Sequence, residues 1–224
     1  MGPDFGPERG RVVPVDIRGL YRALRYGKPI IVVSGLPRSG TSMTMKMLEA
    51  GGVEIVTDGL RTADEDNPKG YFEIERVKDL HKETDKAWLR EARGKAVKII
   101  SYLLRSLPPD NSYKVLFMNR SLEEILASQQ KMLDRRGETS DTSDERMVKV
   151  FEKDLREVRF LLRRRPQFET LELQYRHAID NPREYARQIA DFLDVDLDIE
   201  KMAAVADKSL YRNRAPDDSQ GPAS

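Results

Sequence analysis

The chain reads as an α/β protein of three layers, a central parallel sheet covered on both faces by helices. Two observations predict this class. Short, continuous apolar runs alternate with segments of helical period along most of the chain, as expected of strands buried on both faces. The first of these runs also enters a glycine-containing loop that opens a helix, the arrangement found at the strand ends of doubly wound sheets.

Residues 1–15 hold Gly2, Pro3, Gly6, Pro7, Gly10 and Pro14 and read as a flexible tail. Arg18 to Tyr26 predicts a short helix with Leu20, Tyr21 and Leu24 on one face and its arginines on a solvated one. Pro29–Ser34 is continuous and β-branched, a buried first strand. Ser39 to Ala50 predicts a helix closed by Gly51–Gly52. Val53–Val56 predicts a second strand and Ala96–Ile100 a third. Tyr113–Met118 is the fourth, followed by a helix over Ser121–Arg135 with Ser121 as N-cap and Glu123 and Glu124 in its first turn. Gly137 to Ser143 is polar and suits a lid. Met147, Phe151, Val158 and Leu162 mark a helix over Ser143–Arg165 that stops at Pro166. Its closing run Arg163–Arg164–Arg165 suits a helix C-terminus. Thr170–Leu173 predicts a fifth strand ending at Tyr175, and Pro182–Leu193 a helix with proline in its first turn. One domain over residues 16–214 is expected, with a disordered tail over 215–224.

With 224 residues, the chain is long enough for one substantial core. A net charge of +1 argues against a dedicated nucleic-acid module, which carries a marked basic excess, and leaves room for a local basic pocket. The absence of cysteine removes disulfides, zinc thiolates and thiol nucleophiles, and His81 and His177 are too few for a histidine-rich metal site. No apolar run approaches the ~20 residues of a membrane span, and Met1–Gly10 lacks a signal-peptide core. The expected compartment is the cytoplasm, and a homodimer is compatible with the sequence.

The chemistry centres on Gly35–Leu36–Pro37–Arg38–Ser39–Gly40–Thr41–Ser42. A strand, a glycine loop and a helix N-terminus present backbone N–H groups to a phosphate. Gly40 is expected to let the backbone approach the ligand, Arg38 adds a fork of charged donors, and Thr41 and Ser42 add hydroxyls. Gly35 and Gly40 match the spacing of the nucleoside-triphosphate loop, but Thr41 stands where that loop has lysine. The strand Tyr113–Met118 also lacks a terminal aspartate for magnesium. The loop suits a phosphate better than it suits ATP with magnesium.

Pro37–Ser42 resembles the 5′-phosphosulfate loop of the sulfotransferases that use 3′-phosphoadenosine 5′-phosphosulfate (PAPS). Arg120 and Ser128 have the eight-position separation of that family's 3′-phosphate pair, with the same strand-to-helix setting. Tyr175, before Asp180–Asn181–Pro182 and Asp191–Phe192–Leu193, resembles a tyrosine that lies near the adenine; core packing suits it equally. Tyr211, Arg212 and Arg214 occupy the place of a basic closing segment, without its glycine-rich, lysine-containing form. The resemblance spans residues 29–214 and implies the phosphate-loop sulfotransferase fold, with PAPS as donor and 3′,5′-adenosine bisphosphate as product.

Sulfuryl transfer needs a base, a cation at the departing oxygen and in-line positioning. The resemblance assigns Arg38 to the phosphosulfate and Lys98, in Val97–Lys98–Ile99–Ile100, to the departing oxygen. Ile100 stands where many cytosolic members have the histidine base. Glu73 is the preferred replacement, because Gly70–Tyr71–Phe72 offers an apolar setting that would raise its pKa; Asp66 and His81 follow. Met43, Met45 and Met47 suit a core. Two other functions compete: a small nucleotide or metabolite kinase on the same loop, and a non-catalytic nucleotide-binding protein. The acceptor, a hydroxyl or an amine, carries no signature in the sequence.

Overall fold

The computed structural model describes residues 17–56, 72, 74–138 and 142–206. Four strands form an all-parallel sheet in the order β2-β1-β3-β4: β1 Ile30–Gly35, β2 Ala96–Lys98, β3 Tyr113–Asn119 and β4 Phe168–Gln174. The helices are α1 Ile17–Tyr26, α2 Thr41–Ala50, α3 Glu75–Lys78, α4 Leu122–Arg136, α5 Asp144–Arg164, α6 Tyr175–Asp180, α7 Pro182–Leu193 and α8 Ile199–Val205. Two 3-10 segments, Ala87–Ala92 and Ser101–Ser106, flank β2.

β1 is buried along its whole length and β3 along most of its own because both feed two cores, whereas the edge strand β4 carries Glu169, Glu172 and Gln174. On β1, Ile31 and Val33 join Leu116, Met118 and Leu173 against α2, α7 and α8. Ile30 and Val32 join Val115, Phe117 and Phe168 against α5 and the 3-10 segments. This is the period-2 alternation of a strand with both faces covered. A third cluster, Leu36, Ile125 and Phe151, packs α4 and α5 beside the first loop. Met43, Met45 and Met47 lie in the first core, as expected.

Several expected boundaries are corrected. Val53–Val56 is not a strand: Ile55 alone bridges to Ala96, at the edge of β2. The run Ala96–Ile100 stops at Lys98, and Ile100 instead caps the second 3-10 segment. The helix after β1 starts at Thr41, because Gly40 before it is left-handed (φ 100°). Tyr175 opens α6 and does not end a strand, which runs from Phe168 to Gln174. On α1, Tyr21 and Leu24 remain exposed. Arg163 turns back to the Arg159 carbonyl at the end of α5, as its position suggested, whereas Arg165 reaches the Arg105 carbonyl of the second 3-10 segment.

Candidate functional site

Every strand delivers a predicted residue at or just beyond its carboxyl end, where ligands bind in open parallel sheets. The loop to α2 follows β1, Lys98 closes β2, Arg120 follows β3, and Tyr175 follows β4. The order of the sheet therefore gathers residues 38–42, 98, 120 and 175.

The loop is a tight, left-handed turn. Arg38 has φ 66° and Gly40 has φ 100°. The Ser39 amide donates to the Leu36 carbonyl at 3.2 Å, and the Thr44 amide to the Gly40 carbonyl at 3.1 Å. Among the described residues no side chain caps the start of α2, so its first-turn amides keep their donor capacity for an anion. The Ser39 hydroxyl is buried without a hydrogen-bond partner, which marks a polar position worth explaining. Gly35 and Gly40 are both needed sterically. A Cβ on Gly35 would lie 2.6 Å from Ser39 Oγ and 2.7 Å from the Met118 carbonyl. At Gly40 it would lie 2.4 Å from Cδ2 of Tyr175. Gly40 thus makes room for the Tyr175 ring, a different reason from the close ligand approach expected of it.

Four charged groups surround the turn. Arg38 Nε donates to Ser128 Oγ at 3.1 Å, so the two expected phosphate subsites touch. Arg120 Nη1 donates to the Arg38 carbonyl at 3.0 Å, and its Nε pairs with Glu124 Oε2 at 2.9 Å, both side chains being buried. The Arg120 guanidinium also lies 4.4 Å from the Tyr175 ring centroid. A left-handed arginine costs about 1–2 kcal/mol, and a hydrogen bond to a charged group returns about 1.5–3 kcal/mol. The Arg120–Arg38 bond is large enough to offset the strain. Lys98 Nζ donates to Ser42 Oγ at 3.2 Å. Burial raises the Tyr175 pKa, with Arg120 and Arg38 opposing, so its hydroxyl stays neutral.

Beneath the loop, Thr44 Oγ1 and the Tyr185 hydroxyl meet at 2.9 Å, and both reach Met118 Sδ at 3.1 and 3.0 Å. This buried contact ties α2 to α7 and β3. Composition gave no sign of it, since each residue alone reads as core.

Tyr175 touches the loop and Arg120. His81 is exposed, beyond α3. Glu73, Asp66, Tyr211, Arg212 and Arg214 lie outside the described residues. On either side of Glu73, Phe72 is buried in the core that holds Met43 of α2, and Ile74 in the core that holds Ile99 after Lys98.

No protein-family model matches the chain, and no curated protein matches it in sequence. Among solved structures, the chain is similar to the sulfotransferase domain from the curacin biosynthetic pathway, with 14% identity, coverage of 86% of this chain and 94% of that one, and a TM-score of 0.48. It is similar also to the sulfotransferase domain of the Synechococcus PCC 7002 olefin synthase, at 18% identity, 88% and 90% coverage and a TM-score of 0.47. A sugar kinase from Janibacter sp. HTCC2649 follows at 17% identity, 80% and 99% coverage and a TM-score of 0.40.

Proposed function

We propose that the chain is a sulfotransferase that moves a sulfuryl group from PAPS to a hydroxyl or amine of an acceptor. One observation carries this reading. An ammonium reaches the loop from the end of β2, where Lys98 Nζ meets Ser42 Oγ at 3.2 Å, while Thr41 fills the position of the triphosphate-loop lysine. A cation there suits a departing bridging oxygen better than it suits a β,γ-phosphate with magnesium. The residues fit an anionic donor group: a left-handed turn, uncapped α2 amides, and a buried Ser39 hydroxyl that lacks a partner.

Bound PAPS supplies the sulfuryl group, and the bisphosphate leaves as the acceptor–sulfur bond forms. Arg38, Ser39, Gly40, Thr41 and Ser42 hold the 5′ end through the loop amides and side chains. Arg120 and Ser128 serve the 3′-phosphate, and Tyr211 and Arg212 close over it. Lys98 neutralises charge on the departing oxygen. Glu73 takes the acceptor proton, with Asp66 and His81 as the other candidates. Glu73→Gln is expected to lower turnover about 10²–10⁴-fold while leaving bisphosphate affinity intact; unchanged turnover would remove Glu73 from the role.

Calorimetry with 3′,5′-adenosine bisphosphate and with magnesium–ATP tests the donor. Binding of the bisphosphate alone is expected. Binding of magnesium–ATP alone would replace this reading with a kinase, and transfer from labelled PAPS to an acceptor panel separates an enzyme from a nucleotide-binding protein.

A further inference from the structure

Arg120 follows β3 and Tyr175 follows β4, and the register pairs the residues just before them, Asn119 with Gln174. The two side chains therefore emerge as neighbours just beyond the carboxyl ends of adjacent parallel strands. The Arg120 guanidinium lies 4.4 Å from the centroid of the Tyr175 ring. That ring fills the space where a Gly40 Cβ would stand. Arg120 then holds the Arg38 carbonyl at 3.0 Å, the peptide group that follows a left-handed residue. Glu124 fixes the other side of the guanidinium at 2.9 Å.

We infer that Arg120 and Tyr175 are positioning residues for the phosphate loop: together they brace residues 38–40 in their left-handed turn before any ligand arrives. Tyr175 acts through its ring, and Arg120 through the carbonyl it holds as well as through any phosphate it meets. Such a brace changes affinity by preorganisation, so its removal weakens every ligand that needs the loop. A residue serving only a 3′-phosphate would weaken only ligands that carry one.

The experiment compares the full-length chain with Tyr175→Phe, Tyr175→Leu and Arg120→Lys. Amide hydrogen exchange at Ser39 and Thr44 reports the loop without any ligand. Exchange about tenfold faster in Tyr175→Leu and Arg120→Lys is expected, with Tyr175→Phe close to the parent and β3 amides unchanged in all three. If Tyr175→Leu does not fold, Arg120→Lys decides, since it keeps a cation beside Glu124 but loses the planar fork. Calorimetry then uses adenosine 5′-monophosphate and 3′,5′-adenosine bisphosphate, and this arm rests on the proposed donor. Equal weakening of both nucleotides in Tyr175→Leu is expected. Loss confined to the bisphosphate, unchanged exchange, or Tyr175→Phe as damaging as Tyr175→Leu would overturn the brace. Failure of the parent to bind either nucleotide would sink the donor assignment and leave the exchange result to decide the brace.

Discussion

The two ends of the sheet are both rich in cations that pair with carboxylates and hold carbonyls, yet they differ in the backbone those cations surround. At the amino ends of β3 and β4, a depression of about 820 Å³ is lined by Lys86, Arg90, Arg105 and Arg165 together with Asp85 and Asp110. There, Arg90 pairs with Asp110 at 2.7 Å, and Arg105 with Asp154 and Glu157 at 3.2 and 3.4 Å. Lys86 and Arg165 hold the carbonyls of Ser106 and Arg105, at the end of a 3-10 segment. These bonds satisfy carbonyls that a helix end leaves open. At the carboxyl ends, Arg38, Arg120 and Lys98 surround a left-handed turn with an unpartnered buried hydroxyl. The lesson is that cation number does not mark the candidate site. Among the described residues, backbone strain at Arg38 and an unexplained buried hydroxyl at Ser39 coincide there.

The contrast can be broken at three points. Gly40→Ala should have the largest effect. Its Cβ would meet the Tyr175 ring at 2.4 Å with φ at 100°, so a loss of about 3 kcal/mol in urea denaturation and abolished bisphosphate binding are expected. Lys98→Met should leave bisphosphate affinity near the parent value but lower kcat about 100-fold. Affinity falling with kcat unchanged would make Lys98 a binding group. Smallest of all, Lys86→Ala and Arg165→Ala at the far end should alter bisphosphate affinity less than about twofold and stability by about 1 kcal/mol or less. A large loss of affinity there would show that the two ends are coupled.

Apolar runs, β-branched in β1 and interrupted only by Lys114 before the end of β3, made both strands legible in the sequence, since burial on both faces leaves little polar alternation to misread. Val53–Val56 has the same look, but pairing is a property of the assembled sheet, and there only Ile55 finds a partner. The 3-10 segments were not legible because they lack the 3.6-residue period on which recognition of helices depends. Leu171–Tyr175 alternates apolar and polar residues as a strand does, so the switch to helix at Tyr175 left no mark in the sequence. Within the candidate site, glycine spacing exposed the loop, while Lys98, Arg120 and Ser128 emerged from family resemblance. The Tyr175 contacts needed the β3–β4 register, which a sequence alone does not supply.

That β2 is only three residues long has a further consequence. Ala96 and Lys98 face the α2 side of the sheet, and Val97 faces the other core. One residue inserted between Ala96 and Lys98 would turn the lysine away from Ser42 and press its charge into the opposite core. Two would restore the side but carry the ammonium about 6.6 Å further along the strand, at roughly 3.3 Å per residue. Neither parity nor length leaves room for change, so this short edge strand works as a ruler for where charge meets the loop.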